Sequence, residues 1–88
     1  MTEVKTESGL IINVNQDVFD DMELVDDLAA VDQGEAFAVS RVLNKLFEPE
    51  EKKKLYDFCR ENGKVKIEKT TKTLVEIFKA LGEEGKNS

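Results

Sequence analysis

From Asp20 onward the apolar residues of this chain recur at three- and four-residue spacing in four runs, and glycine or proline bounds each run. That period, interrupted in that way, predicts an all-α domain of about four helices with at most a minor short β element. One proline and five glycines in 88 residues also argue against a many-stranded, turn-rich β fold. A chain of this length supports one domain and a modest core. The expected layout is a flexible tail over residues 1–8, a single helical domain over 9–82 and a second flexible tail over 83–88.

The run from Asp20 to Asp32 organises the rest. Met22, Val25 and Ala29 fall on one helical line and Leu24, Leu28 and Val31 on the next, so about half of the circumference is apolar. Glu23, Asp26 and Asp27 fill the opposite half, which makes them the candidate partner-binding residues. Asp20 is the expected N-cap, with Glu23 three residues on as a capping box and Phe19 as a staple onto Leu24. Asp32-Gln33-Gly34 ends the run.

The second helix is expected from Glu35 to Phe47, burying Ala36, Val39, Val42, Leu43, Leu46 and Phe47 and turning Arg41, Asn44 and Lys45 to water. Phe37 lies off that stripe and is the fourth candidate contact residue, as an exposed anchor. Glu48-Pro49-Glu50-Glu51 opens a third helix, since proline at the first position forfeits no hydrogen bond. Leu55, Phe58 and Cys59 point inward there, Glu50 and Lys54 form an i,i+4 pair, and Asn62-Gly63 is the expected stop.

Before all this, Gly9–Val14 is strand-prone, and the alternating Lys64–Ile67 is its candidate partner strand. The last helix then runs to Leu81 through Ile67, Thr71, Leu74, Ile77 and Phe78, with Gly82 as its end.

Charge narrows the function. The net charge is −6, and residues 1–48 carry 11 acids against 3 bases. No Lys or Arg lies between Lys5 and Arg41. So acidic a half repels phosphate backbones, which disfavours nucleic-acid binding. The Lys52-Lys53-Lys54 run, with Arg60, Lys64, Lys66 and Lys69, is interleaved with acids and suits an acidic surface better, such as the first helix of a second copy. Self-association of that kind would weaken in salt.

Catalytic and metal chemistry find little to work with. The chain has no histidine, and its lone Cys59 reads as a small core hydrophobe suited to a reducing cytoplasm. The acids after Asp20 lack the glycine and glutamate that an EF-hand loop requires. No phosphate loop, nucleophile elbow or zinc spacing is present. The N-terminus lacks the apolar run of a signal peptide, and no stretch approaches the ~20 apolar residues of a membrane span. A cytoplasmic protein without catalytic residues, cofactor, metal or membrane is the expectation.

Several blocks together resemble the small tail assembly chaperones of long-tailed phages and prophages of Gram-positive bacteria. These blocks are Phe19–Val25 with its small-residue helix, Val42–Phe47 running into a Glu/Lys-rich helix, Asn62–Val65 before the last amphipathic helix, and the closing Gly-Lys-Asn-Ser. Met22 stands where that family more often has tryptophan. The resemblance implies a mostly helical, non-catalytic protein of the host cytoplasm. It would bind the tape measure protein, keep it soluble until the tail tube polymerises, and be absent from the mature virion. It also implies a longer product made by a −1 ribosomal slip, for which Lys86-Asn87 can be encoded by a slippery A-rich run. The alternative from a different class is a small acidic regulator that binds a host or phage protein, for instance by mimicking DNA.

Overall fold

The computed structural model describes the backbone of residues 1–86 and the side chains of residues 1–82. Its helices are α1 (Met22–Asp32), α2 (Ala36–Leu46), α3 (Pro49–Cys59) and α4 (Ile67–Lys86). Two antiparallel hairpins accompany them, β1 (Thr2–Lys5) with β2 (Ile11–Val14) and β3 (Arg60–Glu61) with β4 (Lys64–Val65). The fold is therefore mostly α, with strands at both of the places where the sequence alternates.

The first hairpin corrects the expected N-terminal tail. Residues 2–6 have only one large apolar side chain, Val4, but their period-two pattern puts Thr2, Val4 and Thr6 on one face and Glu3 and Lys5 on the other. Val4 pairs with Ile12, and both are buried together with Val14 and Thr6. Gly9, at φ +100°, allows the return turn, and the Thr6 hydroxyl accepts the Leu10 N–H at 3.0 Å. Glu76 on α4 then accepts from both the backbone N–H and the hydroxyl of Ser8, at 3.1 and 2.8 Å. One apolar residue suffices because β2 supplies the rest of that core face.

A 3₁₀ turn over Gln16–Asp20 follows β2, and it changes how α1 begins. Asp20 is consumed by that turn, so Asp21 is the N-cap, its carboxylate accepting the Glu23 N–H at 2.8 Å. With Asp21 as the cap, Phe19 no longer occupies the staple position just before it. It stands edge-on to Phe78 of α4, with ring centroids 5.8 Å apart. At its far end α1 closes in a Schellman motif: the Glu35 N–H reaches the Ala30 carbonyl, the Gly34 N–H reaches that of Val31, and Gly34 takes φ +91°.

Helix α2 buries Ala38, Val39, Val42, Leu43 and Leu46 but leaves Ala36 exposed. The Asn15 N–H bonds the Leu46 carbonyl at 2.8 Å and so ties the end of β2 to the end of α2. Helix α3 opens at Pro49 as the sequence indicates. Its Glu51, nearly buried, accepts the Asn13 N–H of β2 at 2.7 Å and pairs with Lys54 at 2.9 Å. Lys54 thus joins Glu51 and not Glu50.

Asn62-Gly63 is not a helix cap. Both residues have positive φ, +52° and +80°, which is the type I′ combination that matches the twist of a two-residue hairpin. Lys64-Val65 accordingly pairs with Arg60-Glu61, two residues back across the turn, and not with the segment near Ile12. Helix α4 lays Thr70, Thr73, Leu74, Ile77 and Leu81 on the core and leaves Ile67 exposed. It continues past Gly82 to Lys86; the expected tail at 83–88 otherwise falls on side chains and residues outside the description.

Candidate functional site

The four residues singled out from the sequence do not form one surface. Asp27 leaves the set altogether. It shares a helical line with Leu24 and Val31, which places it at the α1–α2 contact, where it is 9% exposed. Its Oδ1 accepts from Arg41 Nε at 2.9 Å and its Oδ2 from Lys45 Nζ at 2.8 Å. Arg41 and Lys45 are one turn apart on α2 and are the only bases between Lys5 and Lys52, and both serve this one carboxylate. The Lys45 ammonium, and then the Arg41 guanidinium, hold the Asp27 carboxyl below its ordinary value, while Asp27 raises Lys45. The two i,i+4 bases of α2 are visible in the sequence, but that Asp27 stands on the buried line of α1 opposite them is decided only by how the two helices pack.

Glu23 and Asp26 are exposed, as a contact role needs, and Phe37 is 85% exposed one turn before Arg41 on α2. Met22, Val25 and Ala29 join them outside. That line belongs to the apolar half of the helix, yet Met22 is 67% and Val25 46% exposed. Of the two lines, only that of Leu24, Leu28 and Val31 turns inward, because among the described residues α1 packs on one side alone and the opposite line has no element to meet. The outer face of α1 is thus apolar along Met22 and Val25, with Glu23 and Asp26 beside them.

A second surface has no local signal in the sequence. An open groove of about 840 Å³ lies between the 3₁₀ turn, α1 and the last turns of α4. Phe19, Leu28, Phe78 and Leu81 form its apolar lining, and Gln16, Asp17, Asp20 and Gly82 complete it. These residues come from three stretches of chain, the outermost, Gln16 and Gly82, 66 positions apart, so only the fold assembles them.

Part of the basic run is paired within the molecule. Lys53 pairs with Asp57 at 2.9 Å and Lys69 with Glu61 at 3.3 Å. Lys52 bonds Asn44 at 2.6 Å and lies 5.3 Å from the centre of the Tyr56 ring. Cys59 is buried and its thiol faces the Thr73 hydroxyl at 3.6 Å, on the inner side of α3. Among the described residues, no three His, Cys, Asp or Glu side chains converge as a metal site would require, and no helix is long and apolar enough to cross a membrane.

Apolar contact area and fixed negative charge are what both surfaces offer, which is the chemistry of recognition. Compared with family models, with curated proteins and with solved structures, the chain matches none.

Proposed function

We propose that this chain is a phage tail assembly chaperone that binds the tape measure protein in the host cytoplasm and keeps it soluble until the tail tube polymerises. The observation that carries the reading is Phe37, a large aromatic side chain left 85% exposed on α2, on a protein that also exposes Met22 and Val25 beside Glu23 and Asp26. Exposed apolar groups framed by acids suit an amphipathic helical partner, which would otherwise aggregate through its own apolar face. The family resemblance in the sequence supplies the identity of that partner. The chaperone would act without catalysis or cofactor and leave before the virion is complete.

Co-expression with the tape measure protein tests this. The chaperone should keep the partner in the soluble fraction and co-purify with it, and a Glu23→Gln, Asp26→Asn, Phe37→Ser triple variant should lose most of that capture while remaining helical. Undiminished capture by the triple variant would remove these three side chains from the mechanism, and no effect of the wild type on tape measure solubility would sink the function. The gene offers a separate check, since an A-rich slip site over Lys86-Asn87 with an overlapping downstream frame accompanies the proposed role.

A second reading, a small acidic regulator that occupies a DNA-binding partner, draws on one feature. Asp17, Asp20, Asp21, Glu23, Asp26 and Asp32 are all exposed, and no base interrupts them in sequence. Displacement of duplex DNA from a captured partner would favour it over the chaperone reading.

A further inference from the structure

We propose that the groove between the 3₁₀ turn, α1 and the end of α4 is a docking site for an amphipathic helix with lysine or arginine along the edges of its apolar face. It is a different surface from the one above. Leu28, in the groove, and Asp26, on the outer face, are two residues apart and so roughly 160° apart around α1. The chemistry of the groove does not depend on which protein supplies the helix.

The apolar part of the argument rests on Phe19. Its ring has an aromatic partner in Phe78, yet it remains 37% exposed, because the groove leaves its other side open. Leu28 and Phe78 are half-buried beside it and Leu81 forms the floor at 9% exposure. The groove admits several leucine-sized side chains without enclosing them, as an inserted helix face requires and a small-molecule cavity does not.

Charge selects the occupant. Among the described residues, Asp17 and Asp20 are the only charged ones lining the groove, both are exposed, and no ion pair among those residues uses either. Fatty acids, phosphates and acidic helices would meet repulsion at that rim. A helix with flanking ammonium or guanidinium groups would meet two exposed carboxylates beside the apolar floor.

Two fluorescein-labelled peptides of roughly 14 residues, near the length at which isolated helices become marginal in water, serve as probes for the full chain. They share one leucine pattern, and their polar positions are all Lys in one and all Glu in the other. Anisotropy should show binding of the Lys peptide, weakened by salt, and at least tenfold weaker binding of the Glu peptide. Asp17→Lys with Asp20→Lys should weaken the Lys peptide at least tenfold, and Phe19→Ala should do so too. Glu3→Lys with Glu7→Lys, an equal change of net charge on exposed residues elsewhere, should leave it within twofold. Amide shift mapping on the wild type should place the response at Phe19, Leu28, Phe78 and Leu81, whatever the variants do to folding. Equal binding of the two peptides, equal loss in both double variants, or shifts confined to other faces would overturn the proposal. So would sedimentation showing that the Asp17/Asp20 change alters only self-association, since a second copy would then be the occupant.

Discussion

Asp27 of α1 and Arg41 of α2 meet at 2.9 Å between carboxylate and guanidinium, and Lys45 closes the same carboxylate from the next turn. This contact, at the α1–α2 seam, decides how the most acidic helix of the chain is used. One acid is turned inward as a clamp and its neighbours stay outside.

Asp27→Asn should therefore lower the melting temperature clearly at neutral pH, whereas Asp26→Asn should leave it nearly unchanged. The Asp27 carboxyl is held below its ordinary 3.8 in the folded state by Lys45 and Arg41. A depressed folded-state pKa contributes stability that is complete above the ordinary value and disappears as pH falls through the folded one. Thermal melts between pH 7 and pH 2.5 should show the wild type losing stability below about pH 4 and Asp27→Asn losing less. Parallel losses in the two proteins would show that the clamp does not stabilise the fold.

Glu51 joins α3 to β2 through the Asn13 N–H, and its own carboxyl is held low by that bond first and by Lys54 second. Glu51→Ala leaves the Asn13 donor without its partner in a part-buried position, and should cost about 1–3 kcal/mol. Glu51→Gln keeps an acceptor oxygen and should cost less. Urea unfolding of both variants measures the difference, and equal midpoints for Ala and Gln would show that the bond to Asn13 contributes nothing.

The N-terminal strand is part of the core, so its removal should be felt. Val4 is 3% exposed, and burying a side chain of its size is worth about 1.5–3 kcal/mol. Val4→Ser should shift the urea midpoint by a corresponding amount without changing the slope, and deletion of residues 1–5 should cost more, because Ile12 and Val14 then lose their cover. A truncated chain as stable as the full one would mean that the hairpin does not contribute to the fold.

The four helices were legible because each depends on local chemistry: period, Pro49 at an opening, and glycines at or near the ends. What local chemistry could not convey was which side of a half-apolar helix meets the core. Met22, Val25 and Ala29 step by three and four residues and Leu24, Leu28 and Val31 by four and three, both helical spacings, so the period within α1 does not distinguish the two lines. Asn62-Gly63 presented a similar ambiguity, since the same dipeptide serves a helix end and a type I′ turn. The register of the flanking strands decides it.

By itself, then, the sequence determined a small, mostly helical chain with an acidic first half, and it marked Glu23, Asp26 and Phe37 as residues left facing outward. Only the tertiary structure decided that Asp27 is a clamp, that residues 2–5 are a strand, and that Phe19, Leu28, Phe78 and Leu81 share a groove. The reason is separation along the chain. Periodicity and caps act over a few residues, whereas burial and charge pairing depend on which distant segment lies opposite, and that is set when the whole core closes.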